Sequence, residues 1–462
     1  MIAIDQYEKA KNCYTGEIDG YGYAFVPGSK KGVVLLDLRT KSLLDDLSIS
    51  QSHNEKDIRR VQLLLENELI QLRNGSPRKL VLDRNIVKSM STWLHIANCC
   101  NLCCPYCYIA NKGKEFMSLS VANSYLDKLE QTVTEHQLKL LTIRFAGGEP
   151  TLHKNLMIYL AGQIQKRFVA KGVRTQLILL TNGTILDSEL IDLIKSHSMR
   201  VCISLDGLGK WHDETRFYKN GSGSFDRVSR NLNLYLESGI KPTISTTITD
   251  RNIPGIPELS RFLIDANLSF RYSLYRDNVG DYKTYENFIQ KVSDVLNDCY
   301  DYYANTIRNQ KTTSKHQFCE INLDRKPHLR SCNIGFSGVT VNHVGDVFLC
   351  QAKMDKNPIG NVKDKATLLQ MAWSQNTFPE LCTKDVFDYD NCRQCQWSLV
   401  CAGGCPVVNF GANGSAATSS PYCKLFKAVI PRLIEIKALQ LIDAHFSLKE
   451  KKGEKKGGKA NG

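Results

Sequence analysis

The chain has 462 residues, 42% of them hydrophobic and 9% aromatic, which is enough for two or three domains around a buried core. No apolar run approaches the ~20 residues that a membrane helix needs, and the N-terminal sequence MIAIDQYEKA does not resemble a secretory signal. These features predict a soluble cytoplasmic protein that does not enter a membrane. In that compartment, 17 cysteines indicate metal binding or catalysis rather than disulfides.

The formal net charge of +13 is partly local. Residues 449–462 (KEKKGEKKGGKANG) hold six lysines and two glutamates and so contribute +4. Such a Lys/Gly segment is typical of a solvated, disordered tail. The remaining basic bias is mild, and it suits an acidic peptide or an anionic cofactor as well as nucleic acid.

Residues 1–85 are predicted to form a small separate module. Segments 21–27 and 32–37 suggest two strands around the turn GSKKG, and a helical pattern follows over 54–73. The stretch NGSPRK at 74–79 is predicted to be a linker. This order predicts a winged-helix-like unit, with an N-terminal extension packed on the next domain as the alternative.

Residues 86–310 alternate strand and helix patterns. The predicted strands are 93–97, 140–145, 175–181, 199–205, 241–246 and 269–275. The predicted helices are 118–135, 154–171, 187–196, 225–238, 256–267 and 294–308. Six such units predict an α/β fold with a parallel sheet, either doubly wound or curled into a partial barrel. The motifs AGGEP, TNG and SLDG follow the second, third and fourth strands. Sites of α/β folds are built at these carboxyl ends.

The stretch NCCNLCCPYCY at 98–108 holds five cysteines. Cys100, Cys104 and Cys107 form C-x3-C-x2-C, with the aromatic Tyr106 before the last cysteine. Three thiolates on one loop suit three irons of a [4Fe–4S] cluster and leave the fourth iron open, whereas electron-transfer clusters take four cysteines. A zinc site is the alternative.

Residues 311–430 are rich in cysteine and poor in regular structure, as expected of a domain stabilised by metal. Eight cysteines are candidate ligands, enough for two more clusters: Cys319, Cys332, Cys350, Cys392, Cys395, Cys401, Cys405 and Cys423. Two zinc ribbons would repeat C-x2-C, which occurs once in this set. Residues 431–462 are predicted to be a helix followed by the disordered tail.

The motifs CNLCCPYC, GGEP, TNG and SLDG together resemble those of the radical S-adenosylmethionine (radical SAM) superfamily. The cysteines from 332 to 423 resemble its SPASM extension, which occurs in peptide-modifying enzymes and in anaerobic sulfatase-maturating enzymes. The resemblance implies a partial (β/α)6 TIM-like barrel between the winged-helix-like module and a small SPASM domain. It also implies that Cys100, Cys104 and Cys107 hold a reducible cluster at which S-adenosylmethionine is cleaved, with electrons from a reductant such as flavodoxin or ferredoxin.

The resemblance implies further contacts to S-adenosylmethionine. Tyr106 would lie by the adenine, Ser204 by the ribose and Arg216 by the carboxylate. The methionine amino group would meet a short glycine–glutamate turn fixed by proline: Gly147, Gly148, Glu149 and Pro150. Asn182 and Asp206 are additional candidates, although TNG and LDG are also turn sequences. Arg216 has an alternative role as a surface ion pair with Asp213 or Glu214.

By the same analogy the eight C-terminal cysteines divide into two groups of four. The first auxiliary cluster would use Cys319, Cys332, Cys350 and Cys405, and the second Cys392, Cys395, Cys401 and Cys423. Cys299 or an open site is an alternative to Cys319. The other cysteines are expected to be small buried hydrophobes: Cys13, Cys99, Cys103, Cys202, Cys299 and Cys382.

Two features distinguish the branches of the family. About 90 residues precede the cysteine loop, and they suit a module that captures a leader peptide at a sheet edge. Gln351 stands where sulfatase-maturating enzymes carry an aspartate as their proposed base, and glutamine is a poor proton acceptor. We therefore expect a maturase that cross-links a ribosomally made precursor peptide through a C–C or thioether bond, without a nucleic-acid partner. The alternatives are formylglycine formation on a sulfatase and, remotely, a zinc-binding nucleic-acid-associated protein.

Overall fold

The computed structural model describes residues 6–49, 54–74, 87–109, 112–276, 285–309, 312–321, 323, 329–354, 358–374 and 384–457. Residues 75–79 of the predicted linker, Cys382 and the final residues 458–462 lie outside this part of the chain. The strands are β1 Tyr7–Lys9, β2 Tyr14–Ile18, β3 Tyr21–Phe25, β4 Val33–Leu36, β5 Ile70–Leu72, β6 Ser89–Ala97, β7 Leu140–Gly147, β8 Arg174–Thr181, β9 Arg200–Ser204, β10 Thr243–Ile248, β11 Phe270–Leu274, β12 His316–Phe318, β13 Gly338–Val341, β14 Asp346–Phe348 and β15 Gly360–Asn361. The helices are α1 Leu38–Asp45, α2 Glu55–Glu66, α3 Leu119–His136, α4 Lys154–Arg167, α5 Ser188–Ser196, α6 Lys210–Asp213, α7 Phe225–Glu237, α8 Ile256–Asp265, α9 Tyr285–Arg308, α10 Leu368–Trp373, α11 Ser398–Cys401, α12 Pro406–Asn413 and α13 Cys423–Gly457.

The centre of the molecule is a sheet of ten strands in the order β12-β11-β10-β9-β8-β7-β6-β13-β14-β15. Strands β6 to β12 all pair in parallel, and helices connect most of them. Parallel neighbours require crossover connections, which bring every carboxyl end to the same edge of the sheet. The predicted α/β class and partial-barrel sheet are confirmed, and β6 to β11 correspond to the six predicted strands.

Strands β1, β2 and β5 of the N-terminal module were not predicted. Beyond β11, four further short strands were not predicted: β12, β13, β14 and β15. Strand β12 pairs in parallel with β11, so the barrel continues past the predicted boundary at residue 310. Strand β13 pairs in parallel with β6 from the other side. The cysteine-rich region is therefore joined to the barrel by main-chain hydrogen bonds. A strand of two to four residues is too short to show the alternation of apolar and polar residues that identifies a strand in sequence, so these four strands are not apparent from the sequence.

The N-terminal residues form a three-stranded antiparallel sheet, β2-β3-β4, followed by two helices. One face of this sheet, including Tyr23 and Phe25, joins the main core, and the opposite face, including Ala24, packs with α1 and α2. The predicted helix over 54–73 already ends at Glu66. Glu68 has a φ of 57°, in the left-handed region that does not continue a helix, and the chain then enters β5 and pairs with β1.

Helix α13 starts at the last cysteine, Cys423, and runs through the predicted boundary at 431 despite the internal Pro431. It continues to Gly457, so the prediction of a disordered tail is wrong for residues 449–457. It packs against α9 and against β4 of the N-terminal sheet. Arg432 on α13 forms ion pairs with Asp301 of α9 and with Glu435. The helix thus connects the N-terminal sheet, the barrel and the cysteine-rich region. Within the described chain, no helix has the length and apolarity to cross a membrane.

Candidate active site

A cavity of about 250 Å³ lies at the carboxyl ends of the parallel strands. Ten of the predicted site residues line it: Cys100, Cys104, Tyr106, Cys107, Gly147, Gly148, Glu149, Asn182, Ser204 and Arg216. They come from the loop after β6 and the ends of β7, β8 and β9, which adjoin in the sheet. Their convergence follows from the parallel topology.

The glycine turn after β7 is packed directly against the cysteine loop. The Gly148 N–H donates to the Ala97 carbonyl at 2.8 Å, and the Glu149 N–H donates to the Cys99 carbonyl at 2.9 Å. A Cβ on Gly148 would lie 2.0 Å from the Cys99 oxygen. Gly147 has a φ of 143°, and a Cβ there would lie 2.3 Å from the Ala97 oxygen. The glycines are needed for close approach as predicted, but the backbone they approach is that of the cysteine loop.

Glu149 is 1% exposed and accepts several hydrogen bonds from the protein. Its Oε1 accepts from the Thr151 N–H, the Thr151 hydroxyl and the Thr181 hydroxyl, and its Oε2 accepts from the Asn182 N–H at 2.7 Å. A carboxylate offers about four acceptor positions, two on each oxygen, so Oε2 keeps one. Burial raises the pKa of Glu149, and no described basic side chain forms a salt bridge with it. A buried carboxylate of this kind fits an ammonium ligand such as the amino group of S-adenosylmethionine.

Asp206 is fully buried and does not line the cavity. Its Oδ1 accepts from the Thr247 N–H at 2.9 Å. Its Oδ2 accepts from Arg216 Nε at 2.9 Å, from the Thr215 hydroxyl at 3.3 Å and from the Tyr106 hydroxyl. The predicted direct contact with the cofactor is therefore not supported, because the protein itself occupies this carboxylate. Asp206 instead positions Tyr106 and Arg216.

Arg216 faces the cavity and pairs with Asp206 rather than with a surface acid. Its guanidinium carbon lies 5.7 Å from the centre of the Tyr106 ring. The alternative partner Asp213 is engaged elsewhere, because its Oδ1 accepts from the backbone N–H groups of Ser224 and Phe225. With its Nε fixed by Asp206, Arg216 can direct its outer nitrogens at a carboxylate ligand.

Asn182 lines the cavity, but its side-chain polar atoms already have protein partners. Its Oδ1 accepts from the backbone N–H and the hydroxyl of Thr184 at 2.9 and 2.7 Å. Its Nδ2 donates to Asn101 Oδ1 at 2.8 Å and to Cys100 Sγ at 3.8 Å. The backbone donor fixes the orientation of the amide, so the N–H side must face the sulfur. The cofactor contact predicted for Asn182 is therefore not supported; its side chain instead donates a hydrogen bond to Cys100, a candidate cluster ligand.

Two predicted residues have simpler placements. Ser204 ends β9 and faces the cavity, at the position expected for a ribose contact. Pro150 is buried outside the cavity wall and begins the helical turn Pro150–His153, whose first turn is capped by the Glu149 side chain. This is the turn-fixing role predicted for the proline.

The three loop cysteines are electrostatic neighbours. Burial raises the pKa of Cys100 to about 11, and the nearby Cys104 thiolate raises it further. Burial also raises the pKa of Cys104, where Cys107 acts in the same direction and Arg216 opposes it. Cys103 is exposed, so the prediction that it is a small buried hydrophobe is wrong, and its N–H donates to the Phe217 carbonyl. Three adjacent thiols on one loop are a suitable donor set for an iron–sulfur cluster with an open iron.

The first predicted auxiliary group is assembled in part. The pKa of Cys332 is raised to about 12, first by desolvation of its thiol and then by Cys405 and Cys350, although the residue as a whole is exposed. Cys319 is linked to this group through Arg276, whose Nη2 donates to its sulfur at 3.5 Å. The alternative ligand Cys299 lies in the main core and accepts from the Ser260 hydroxyl at 3.1 Å, so it is a packing residue.

All four cysteines of the second predicted auxiliary group are electrostatic neighbours. Burial raises the pKa of Cys401 to about 12, and the thiolates of Cys392, Cys423 and Cys395 all add to it. The pKa of Cys392 is raised to about 11 by burial and then by Cys423 and Cys395. No three Cys, His, Asp or Glu side chains of the described chain converge on a single metal ion. A cluster distributes its thiolates over several irons, whereas zinc gathers its ligands around one point.

Several residues of the cavity were missed by the sequence analysis. They are Trp93, Leu102, Tyr108, Lys112, Ala146, Leu180, Thr181, Cys202, Ser245, Thr247, Arg271, Ser273, Leu274, Tyr275, Arg276 and Ala352, whereas Gln351, which the sequence singled out, also lines the cavity. Cys202, predicted to be a buried hydrophobe, lines the cavity as well. These positions match no short motif. The sequence feature that could have indicated some of them is the alternation of side chains along β9, β10 and β11, which directs every second residue towards the inside of the barrel.

Two family models match the chain, one for the radical SAM superfamily over residues 94–260 and one for the SPASM iron–sulfur cluster-binding domain over residues 332–396. The chain belongs to the radical SAM superfamily and carries a SPASM domain, and it is an enzyme. Its cofactors are S-adenosylmethionine and [4Fe–4S] clusters, to which the donor groups described above are suited. The zinc-based alternative is displaced by this assignment.

Three relatives illustrate the range of similar proteins. The uncharacterized protein MJ0907 of Methanocaldococcus jannaschii is 29% identical over 59% of this chain and 88% of its own length. A cysteine-type anaerobic sulfatase-maturating enzyme of Clostridium perfringens is 22% identical over 73% of this chain and 95% of its own. The radical SAM cyclopropyl synthase TigE of Paramaledivibacter caminithermalis is 22% identical over 91% of this chain and 90% of its own.

Two solved structures share the fold. The enzyme anSMEcpe with bound AdoMet and the Cp18Cys peptide has a TM-score of 0.63 and 21% identity, and the match covers 77% of this chain and 99% of that one. Streptococcus suis SuiB bound to the precursor peptide SuiA has a TM-score of 0.54 and 16% identity, and the match covers 91% of this chain and all of that one.

Proposed function

We propose that the chain is a peptide maturase that removes a hydrogen atom from a ribosomally made precursor peptide and forms a C–C or thioether cross-link. The remaining electron would pass to a bound auxiliary cluster, and the second hydrogen would leave as a proton to solvent. When bound, S-adenosylmethionine and its cluster supply a 5′-deoxyadenosyl radical. The residues of this chain bind the cofactor, orient it and exclude water. Glu149 would hold its amino group, Arg216 its carboxylate, Ser204 its ribose and Tyr106 its adenine.

The N-terminal module carries this proposal. The match to SuiB, solved with its precursor peptide, leaves only 9% of this chain uncovered, about 42 residues. That is too little to contain the whole module of residues 6–74, so part of the module has a counterpart in SuiB. The match to anSMEcpe leaves about a quarter of the chain uncovered.

The module also offers a physical means of holding a leader peptide. Both faces of its small sheet are covered, one by the main core and one by α1 and α2. Strands β2 and β4 remain as the two edges of that sheet. A leader segment added to an edge would gain main-chain hydrogen bonds, with specificity from neighbouring side chains. This is the role we assign to the winged-helix-like module.

Gln351 argues against formylglycine formation, which the fold likeness to anSMEcpe would otherwise favour. It lines the cavity, and its Oε1 accepts from the Cys350 thiol at 3.6 Å. A neutral amide cannot serve as a general base. Among the described residues of the cavity wall, Glu149 is the one carboxylate, and its hydrogen bonds hold it at the cofactor end.

The test is anaerobic incubation with S-adenosylmethionine, a reductant such as flavodoxin or ferredoxin, and the small peptides encoded beside the gene. Intact mass spectrometry should show the loss of two hydrogens from one peptide. Cys104→Ala should abolish both this change and cofactor cleavage. Turnover of a sulfatase peptide with no change in any neighbouring peptide would overturn the proposal, and deuterium uptake without oxidation would indicate epimerisation instead.

A further inference from the structure

One side of the cavity wall has no role in the cofactor binding proposed above. The cofactor residues lie on the loop after β6 and at the ends of β7, β8 and β9. The opposite wall consists of residues from β10, from β11 and its following loop, and from the segment after β14: Ser245, Thr247, Arg271, Ser273, Tyr275, Arg276 and Gln351. Hydroxyl, amide and guanidinium groups dominate this wall, and none of these residues is acidic.

Arg271 is the distinctive group of this wall. It lies on β11 at one of the inward-facing, less buried positions of that strand. Its Nη2 donates to Ser245 Oγ at 3.3 Å, while its Nε is buried and has no hydrogen-bond partner. The other two arginines of the cavity each have a carboxylate, because Arg216 pairs with Asp206 and Arg276 pairs with Glu320. No salt bridge to Arg271 exists in the described chain.

No described thiol is hydrogen-bonded to Arg271. Cys319 and Cys202 act on Arg271 through charge when deprotonated, but Cys319, a candidate cluster ligand, already accepts a hydrogen bond from Arg276 Nη2 at 3.5 Å. Burial raises the pKa of Cys202, which favours the neutral thiol. A guanidinium has five N–H donors, and leaving them unsatisfied away from water is costly. An anion that enters the cavity would meet the guanidinium nitrogens that face it, and a carboxylate matches the planar fork in a bidentate arrangement.

We propose that Arg271 binds a carboxylate of the substrate, so that the group presented beside S-adenosylmethionine is an aspartate or glutamate side chain or a peptide C-terminus. This inference rests on the proposed function in that it takes a peptide as the substrate. It deepens that function by naming the chemical class of the residue at the reaction centre.

The test uses the reconstituted holoenzyme with S-adenosylmethionine and small probes in place of the peptide. N-acetylglutamate N-methylamide carries a side-chain carboxylate, and N-acetylglutamine N-methylamide is its neutral counterpart. Calorimetry should show binding of the acid at least about tenfold tighter than binding of the amide, the usual worth of a charged hydrogen bond. R271M should remove this preference. Equal affinities in the wild type, or a preference that survives in R271M, would overturn the inference.

A second probe pair distinguishes the two sources of the carboxylate. N-acetylglycine represents a peptide C-terminus, and N-acetylglycinamide is its neutral control. A larger acid-over-amide ratio for this pair than for the glutamate pair would assign Arg271 to a C-terminus, and the reverse would assign it to a side chain. Either ratio requires Arg271, so R271M must reduce it to about one for the inference to stand.

R276M is the matched control, because Arg276 shares the wall but already has Glu320 and Cys319 as partners. If Arg271 only balanced the charge of the nearby cysteine groups, R271M would alter iron content and the electron paramagnetic resonance spectrum as R276M does. We expect R271M to keep its iron and lose only the preference for acids. If R271M loses iron, R271Q keeps a polar side chain and permits the same comparison.

The two proposals fail separately. Binding of the probes does not depend on cross-linking, so an acid preference without any modified peptide would reject the proposed function and keep this inference. Conversely, a precursor peptide that is cross-linked equally well after all of its Asp and Glu residues are changed to amides and its C-terminus is amidated would reject this inference alone.

Discussion

At the scale of single residues, buried polar groups define what the cavity can bind. Glu149 retains an acceptor position and forms no salt bridge with any basic side chain of the described chain, whereas Asp206 accepts hydrogen bonds from Tyr106, Arg216, Thr215 and the backbone. The carboxylate of Glu149, which follows β7, and that of Asp206, which follows β9, therefore have different roles. We expect Glu149 to contact the cofactor, and Asp206 positions Tyr106 and Arg216, for which cofactor contacts are also proposed.

Glu149→Gln should weaken binding of S-adenosylmethionine. The amide loses the charge that pairs with the cofactor's ammonium group, a change worth about 1.5–3 kcal/mol, or roughly tenfold to a hundredfold in affinity. Equilibrium dialysis of the anaerobic enzyme measures it. Glu115→Gln is the matched control, because Glu115 is exposed and bonded to Asn98. Unchanged affinity in Glu149→Gln would contradict the assignment.

Asn182→Ala should shift the reduction potential of the cluster held by Cys100 to more negative values. The Nδ2–H···S bond stabilises the additional negative charge of the reduced state, and its removal withdraws that stabilisation. A redox titration that follows the S-adenosylmethionine-sensitive paramagnetic signal measures the shift. Thr184→Val leaves the amide and its backbone bond in place and should produce a smaller shift. Identical potentials in Asn182→Ala and the wild type would refute the role.

At the scale of elements, the turn after β7 and the loop after β6 form one unit. Gly148 N–H and Glu149 N–H bond to carbonyls of the loop, and the space for a side chain at Gly148 is taken by Cys99. The sequence motif GGEP is therefore as much a structural support for the cysteines as a cofactor contact.

Gly148→Ala should displace the cysteine loop and selectively reduce loading of its cluster. If two auxiliary clusters remain intact, iron content falls by about a third, because one of three four-iron clusters is lost. Iron and sulfide assays check this result. Gly162→Ala in α4 is the control, since a Cβ there meets no atom within 4 Å. Full iron content in Gly148→Ala would show that the loop tolerates the side chain.

At the scale of the whole molecule, the cysteine-rich region is connected to the barrel at two places. Strand β13 extends the central sheet next to β6, and α13 runs from Cys423 across α9 to the N-terminal sheet. Changes at the auxiliary sites can therefore affect distant parts through rigid elements, while the barrel has a large apolar core of its own.

Removal of the clusters with a chelator should promote local unfolding of the segment 384–423 before it promotes unfolding of the strands β6 to β9. The segment has a small local core around Val386 and Tyr389 and depends on ligation for stability. Hydrogen exchange followed by mass spectrometry should show faster exchange there in the apoenzyme. Equal acceleration across β6 to β9 would show that the barrel also depends on the metal.

The sequence by itself determined the family, the parallel sheet and the three loop cysteines, because these depend on short-range spacing and on hydrophobic periods that survive without tertiary context. The grouping of the second auxiliary cysteines stays a prediction, with which their mutual electrostatic influence agrees. The tertiary structure decided the roles that depend on distant partners. The hydrogen bonds of Asp206 and Asn182 to other protein groups argue against the cofactor contacts predicted for them. The pairing of β13 with β6, which are separated by some 240 residues of chain, could not be predicted from the sequence. Arg271 belongs to no motif, and only the parallel strands bring its unsatisfied guanidinium opposite the cofactor residues, because the partners of a buried charge are set by the fold and not by its neighbours in sequence.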